Sequence, residues 1–292
     1  MLHRNKDDFI RNLNYTAMRT GFTLPLVEKD YYITLILSRI NNMSRDLIFK
    51  GGTCLNKIYF SSFRLSEDLD FTMRLPQDAS TRGVRRKCIK PVKDNIESFA
   101  GQFDMKIDNI DKAGRNESNQ YIFHFRYQSV ILPVESRIKL EIGLRYNPIC
   151  EPENQVVRHG FLHPFTGKPL FEGGEVNCLI LKELIAEKLR AAATREIIAP
   201  RDFYDIDFVI RKGFDLAAPE FLRLFRKKLE EDEMDNDLST YHINLGRKDK
   251  EIQDMKKRIK EELHAVLIPA ERKSFDLDAA LGRINKVFQS IK

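Results

Sequence analysis

No Cys-x-x-Cys pair occurs in this chain. Its four cysteines, Cys54, Cys88, Cys150 and Cys178, lie far apart, a distribution that suits neither a zinc ribbon nor a disulfide framework and points to a reducing cytoplasm. Long hydrophobic runs are missing too. The longest aliphatic stretch, "ITLIL", falls far short of the roughly 20 residues that cross a bilayer, and the start, "MLHRNKDDFI", has no apolar signal core. Neither membrane spanning nor secretion is expected. There is no Gly-x-Ser-x-Gly elbow of a serine hydrolase, no Gly-Lys-Ser/Thr of a P-loop, and no internal repeat or low-complexity tract. Neither sign of charge dominates. The 49 Lys and Arg against 43 Asp and Glu leave +6, which admits a polyanionic partner without marking a basic tail.

What is present suffices for a globular protein: 292 residues, 42% hydrophobic, make one large or two modest domains. Phe9, Ile10, Leu13 and Ala17 recur at helical spacing before Gly21, and "LVEKDYYITLILSRI" reads as a second helix. "RDLIF" then reads as a short buried strand, Gly51-Gly52 as a turn, "TCLNKIYF" as a helix of about two turns and "EDLDFTM" as a strand. A long helix is expected after Pro76 to about Phe99, followed by strands at "FDMKI", "YIFHFRYQ" and "RIKLEIG". In the last, Ile138, Leu140 and Ile142 take one face and Arg137, Lys139 and Glu141 the other. Pro148 to Gly174 reads as a long connection and everything after Leu181 as helical. The expected boundary places a mixed α/β front half at 1–174 and a helical back half at 175–292.

The chemistry concentrates in "FKGGTCLNKIYFSSFRLSEDLDFTM", from Phe49 to Met73. Because strand side chains alternate, Asp68 and Asp70 emerge on one face, leaving Leu69 and Phe71 for the other. Two carboxylates so placed repel each other and become useful around a hard divalent cation such as Mg²⁺. Glu141, on the polar face of another strand, is a candidate third acid, although Lys139 and Arg137 on that face offer it simple ion pairing. Gly51-Gly52 opens into a helix whose free amides suit a phosphate. Taken separately, an Asp-x-Asp can be a solvated strand face and Gly-Gly a mere turn.

Together, "FKGGTCLNKIY" and "RLSEDLDF" resemble the first motif of the AbiEii/AbiGii nucleotidyltransferase toxin family, a branch of the polymerase-β-like nucleotidyltransferases. Where the wider superfamily carries Gly-Ser close before its Asp-x-Asp, Thr53 here follows Gly52 and stands 15 residues before Asp68, as in the toxin branch. "IKLEIG" matches the position of the third acid, and "EKLRAAATREIIAPRDFYDID" the downstream Lys and Arg-Asp-x-x-Asp motif, so the resemblance spans roughly Glu28 to Ile210. It implies an α+β fold: a polymerase-β-like nucleotidyltransferase core, a mixed sheet with flanking helices, plus a helical C-terminal domain, with the active site in the cleft between them. It implies that Asp68, Asp70 and Glu141 hold Mg²⁺ or Mn²⁺, that Gly51, Gly52, Thr53, Ser66 and Lys188 contact the phosphates of a nucleoside triphosphate, and that Asp202 or Asp205 orients Lys188 or borders the nucleotide. It further implies a toxin held in check by a cognate antitoxin. Several family members modify the 3′ end of tRNA, which makes tRNA the first expected acceptor. Nucleotidylation of a protein or small molecule, and a nucleotide sensor without turnover, are the competing readings.

Other signals have plain alternatives. Leu181, Leu184, Ile185, Lys188 and Ala192 share a helical stripe, from which a lysine such as Lys188 can equally reach into water. Asp202, after Pro200-Arg201, is placed to cap the following helix. Asp205 suits the same helix end, and Arg201 is a weaker phosphate contact. Ser66 can equally be an ordinary strand-entry serine. Glu28, Lys29 and Asp30 read as surface ion pairs. "TRGVRRKCIKPVK" carries Arg82, Arg85, Arg86, Lys87, Lys90 and Lys93 with no acid, either tracking RNA phosphates or forming a solvated helix face. "KDKEIQDMKKRIKEE" reads as an exposed helix laced with i,i+4 pairs. His159 and His163 stand four apart, but Gly160 and Pro164 argue against helical metal ligation.

Overall fold

Apolar residues at helical spacing give the first element its buried side: Phe9 and Leu13 line α1 (Lys6–Thr20), capped by the Asn5 side chain and ended by Gly21 in the left-handed conformation. α2 (Leu24–Leu37) is apolar nearly all round and is buried accordingly. In this computed structural model, which describes residues 1–61, 64–76, 81–108 and 110–291, the two helices precede a mixed sheet.

The sheet is built from β1 (Leu47–Lys50), β2 (Asp68–Met73), β3 (Lys106–Asp108), β4 (Gly114–Arg115), β5 (Gln120–Gln128), β6 (Glu135–Gly143), β7 (Glu153–Val156) and β8 (Glu175–Cys178). Their order is β3-β5-β6-β2-β1-β8-β7, with β4 beside β5. β2 runs antiparallel to β1 and parallel to β6, and β8 runs parallel to β1. Between β1 and β2 lies α3 (Gly51–Cys54), continued by a π turn over Leu55–Tyr59, so the helical path begins at Gly51 itself. α4 (Arg82–Gly101) starts under a Thr81 cap and buries Ile89, Val92, Ile96 and Phe99. The part of its expected span at 77–80 lies outside the described residues.

Two expectations need correction. The connection drawn from Pro148 to Gly174 contains β7, and the third-strand segment expected at "FDMKI" forms only from Lys106. "ENQV" has no alternation to read. Its pairing with β8 is a backbone ladder at the sheet edge, and such pairing leaves little mark on composition.

The chain divides into two compact units, Met1–Leu179 and Ile180–Lys292. β8, which the expected half from 175 would have included, belongs to the first. The second is helical: α5 (Leu181–Thr194), α6 (Pro200–Arg211), α7 (Pro219–Glu230), α8 (Asp249–Glu262), α9 (Pro269–Ser274) and α10 (Leu277–Gln289). α5 packs on α6 and α7, and α10 on α6, around Leu184, Leu189, Phe203, Phe225, Ile284 and Phe288. α8 is the charged helix. Its Ile252 and Met255 are buried while Arg247–Glu251 and Arg258–Glu262 pair across one turn.

Candidate active site

The alternation of β2 and β6 sends Leu69, Phe71, Leu140 and Ile142 into the core and leaves Asp68, Asp70, Lys139 and Glu141 on the opposite face. The parallel register then sets Asp68 opposite Lys139 and Asp70 opposite Glu141. Asp68 and Asp70 share a face as the alternation implied, and the pairing of β2 with β6 brings Glu141 beside Asp70. Like charges directly opposite on neighbouring strands oppose folding, and the cost is visible here: burial, Glu141 and Asp68 push the Asp70 carboxyl above its ordinary value, against the pull of Lys139 and Lys50. Lys139 answers the repulsion. Its Nζ lies 3.6 Å from Asp68 Oδ2 and 3.2 Å from Glu141 Oε2. Burial works against the ammonium, but Asp68, Glu141 and Asp70 together raise its pKa. Gln120 Nε2 donates to the other Glu141 oxygen at 2.6 Å, fixing that carboxylate.

The glycine pair meets this face from β1. Gly51 has φ +78°, and a Cβ there would stand 2.3 Å from Asp70 Oδ2. A Cβ on Gly52 would stand 2.2 Å from Nη2 of Arg64, whose buried side chain fills the space beneath the turn and donates from Nη1 to Leu65 O at 3.1 Å. Gly51 is there for backbone freedom as well as for close approach, and a side chain at Gly52 would have to move the buried Arg64 guanidinium. Gly51→Ala is expected to cost about 1–2 kcal/mol for the left-handed conformation alone, lowering the melting temperature by roughly 2–8 °C, with further loss from the displaced Asp70. A thermal melt checks it. Thr53 is buried and donates its hydroxyl to the Asp68 carbonyl, so the side chain ties α3 to the acid strand and only its backbone N–H is left to face a phosphate. Ser66 is buried in the loop just before β2.

A second polar cluster lies within the helical unit. Lys188, on the otherwise apolar stripe of α5, does not reach into water: its Nζ pairs with Asp202 at 2.9 Å and Asp205 at 3.1 Å, and the two carboxylates are 2% and 1% exposed. Asp202 also accepts from Arg195 at 2.8 Å. The capping reading of Asp202 is therefore corrected. α6 starts at Pro200 with Ala199 as its cap residue, which puts Asp202 inside the first turn with its side chain turned to two cations. Of the alternative between Asp202 and Asp205, the geometry keeps both at the lysine. Arg201 is half-buried in the first turn of α6.

The basic stretch lies along α4. Arg82, Arg86, Lys90 and Lys93, spaced to share a helix face, line a groove of about 540 Å³ together with Arg115. Asp94, Asp111 and Glu117 also border it, and Lys90 pairs with Asp94. Lys87 is exposed outside the groove, and Arg85 donates to the Glu117 carbonyl at 3.2 Å. A hydrogen-bond path leads from the groove to the acid face: Asn116, at its wall, donates to Gln120 Oε1 at 3.4 Å, and Gln120 holds Glu141.

The surface reading of Glu28 and Asp30 is wrong. Glu28 is buried, accepting from Ser129 Oγ at 2.5 Å and Val130 N at 2.7 Å, and burial raises its pKa despite both bonds. Asp30 is buried against Lys57, 2.7 Å away, whose ammonium also donates to Thr34. Only Lys29 keeps a surface partner, Glu67 at 3.8 Å. His159 donates from Nε2 to Phe171 O at 2.7 Å, and His163 Nδ1 accepts from the amides of Phe165 and Thr166. Both hold loop structure. Sequence reasoning missed Arg64, Lys57 and Gln120 altogether.

As a donor set, Asp68, Asp70 and Glu141 offer the carboxylate oxygens that hard divalent cations take. The Lys139 ammonium lodged among them, with Lys50 opposite Asp70 on β1, brings positive charge to this face. Among the described residues no three acidic, histidine or cysteine side chains stand as a ready-made ligand group. Among the described residues, too, no helix is long and apolar enough to cross a membrane.

Residues 35–291 match the family described as "Nucleotidyl transferase AbiEii toxin, Type IV TA system". MenT4, a nucleotidyltransferase toxin from Mycobacterium tuberculosis H37Rv, superposes with a TM-score of 0.56 at 16% identity, over 96% of this chain and 99% of that one. JHP933 from Helicobacter pylori gives 0.51 at 18% identity, over 92% of each chain. At these identities the similarity is one of fold. No curated protein sequence matches.

Proposed function

The chain belongs to the AbiEii nucleotidyltransferase toxin family of type IV toxin–antitoxin systems, and from that premise we propose that it moves a nucleoside monophosphate from a nucleoside triphosphate onto RNA, with the 3′ end of tRNA as first acceptor. The observation that carries the proposal is the face on which β2 and β6 gather Asp68, Asp70 and Glu141 beside the Gly51-Gly52 turn. These acids would hold Mg²⁺ or Mn²⁺, which when bound neutralises triphosphate charge and polarises the α-phosphoryl group. Gln120 keeps one Glu141 oxygen fixed during turnover. The turn, lacking side chains, lets backbone amides of Gly52 and Thr53 come close to phosphate oxygens, and Ser66 adds a hydroxyl near the acid strand. An acceptor hydroxyl attacks the α-phosphorus in line and passes its proton to water, the α–β bridging P–O bond breaks, and pyrophosphate leaves with the electron pair.

Lys188 has three N–H donors; two go to Asp202 and Asp205, leaving one for an anionic ligand. The proposal gives that donor to a nucleotide phosphate, with the two acids holding its direction. As a member of a two-component system the toxin is expected to answer to a cognate antitoxin.

RNA is favoured as acceptor by the groove along α4. Arg82, Arg86 and Lys90 recur every four residues, about 6 Å of helix rise, a repeat comparable to that of phosphates along a strand, and Asn116 and Gln120 connect the groove wall to Glu141. The test is incubation of the protein with total RNA, a divalent cation and each α-labelled nucleoside triphosphate. Label on tRNA is the expected result; label on protein alone, or on nothing, would move the assignment to a protein acceptor or to nucleotide sensing. Arg86→Glu/Lys93→Glu is expected to weaken RNA binding by about tenfold or more and flatten its salt dependence by roughly two phosphate contacts, whereas Lys87→Glu, outside the groove, changes either far less. Fluorescence anisotropy with labelled tRNA across a salt series checks both.

A further inference from the structure

Lys139 takes no part in the family assignments, yet it holds the central place on the acid face. It lies across from Asp68 in register and two residues before Glu141, and its Nζ contacts both carboxylates, at 3.6 and 3.2 Å. The other charged and titratable groups in register here are Lys50, opposite Asp70 on β1, and His124, opposite Lys139 on β5. A divalent cation drawn to Asp68 and Glu141 meets the Lys139 ammonium beside Oδ2 of the one and Oε2 of the other. At that range in a partly buried place the two positive charges repel, so the ammonium either moves aside or weakens the metal.

We propose that Lys139 is the resident counter-ion of the acid face, and that by having to be displaced it makes loading of the divalent cation depend on the nucleotide. The proposal rests on the metal-binding reading given above. Physically, a metal arriving alone breaks both ammonium contacts and leaves Lys139 without compensation in a partly buried place. A metal arriving with a triphosphate brings anionic oxygens to the same face. The lysine is a point charge on a long flexible stem, so it can exchange carboxylate partners for phosphate ones without moving its strand. Metal and nucleotide then bind with positive coupling, and by linkage each tightens the other by the same factor. The lysine also serves the unloaded protein, where it offsets the repulsion among the three acids.

The probe is Mn²⁺, with the free ion followed by electron paramagnetic resonance, titrated into the full chain with and without a nucleoside triphosphate analogue carrying a methylene group between the α- and β-phosphorus. Wild type is expected to bind Mn²⁺ weakly alone and much more tightly with the analogue. Lys139→Met is expected to bind Mn²⁺ alone about tenfold more tightly, as removal of one neighbouring positive charge in a partly buried site allows, and the analogue's effect shrinks by a similar factor. Lys139→Gln repeats the change with a polar side chain, and Lys139→Arg, which keeps the charge, retains the wild-type coupling. Equal or weaker Mn²⁺ binding in the Met and Gln variants, with wild type binding normally, overturns the inference and leaves the metal site standing. Absence of Mn²⁺ binding in wild type and variants alike, with or without the analogue, overturns both.

Discussion

Asp70→Asn is expected to abolish nucleotidyl transfer, by about 10³-fold or more, while making the protein more stable. The first effect follows from losing one of three metal-holding carboxylates, a change worth several kcal/mol of transition-state stabilisation. The second follows from register. Asp70 stands opposite Glu141, near Asp68 and above a core-facing strand, and its carboxyl is pushed up by burial and by both acids. An acid whose pKa is higher folded than unfolded weakens the fold as pH rises from about 4, its unfolded value, through the raised range, because folding there requires an unfavourable ionisation. Asparagine removes that dependence. A gain of about 1 kcal/mol, or about 2–4 °C in melting temperature for a chain of this size, is expected at neutral pH and should shrink toward pH 4. Calorimetry across pH reads it directly. Function is retained here at a cost in stability.

Lys188→Met should act in the opposite direction. Asp202 and Asp205 are almost wholly buried around the ammonium, and removing one partner of a buried ion pair leaves charge without compensation, typically about 3–5 kcal/mol. The expected result is a melting temperature lower by roughly 6–12 °C or more, with Arg195 preserving part of the support at Asp202. Lys188→Met/Asp205→Asn should recover a good part of the loss, since the amide needs no counter-charge. Nucleotide affinity, measured well below both transitions, separates the two roles of the lysine. A purely structural Lys188 would let the double variant bind nucleotide like wild type, whereas a phosphate contact leaves it weak.

The contrast between these residues shows what was legible in the chain. Asp68 and Asp70 could be brought to one face from local alternation alone, and Glu141 put on the polar face of its own strand, because period 2 depends on no partner. That Asp70 faces Glu141 and Asp68 faces Lys139 depends on the parallel pairing of β2 with β6, separated by some 70 residues, and no local pattern encodes it. Asp202 shows a local rule losing to a distant partner: its position suited a cap, but Lys188 and Arg195 offered a buried carboxylate more than a backbone amide could. Glu28 and Asp30 looked like surface charges because charged residues are rarely buried unless paired, and their partners, Ser129, Val130 and Lys57, lie far along the chain. Arg64 filling the space under Gly52 belongs to the same class. β7, an edge strand without apolar alternation, was invisible for the reason that its stability comes from the backbone.

The most direct measurement is pyrophosphate release, with label transfer followed in parallel, by wild type and by Asp68→Ala/Asp70→Ala in the presence of RNA, Mg²⁺ and nucleoside triphosphates. Release and transfer in equal amounts from wild type, with neither from the folded double variant, is the expected result. Undiminished transfer by the double variant would contradict the assignment of the β2–β6 acid face as the catalytic centre.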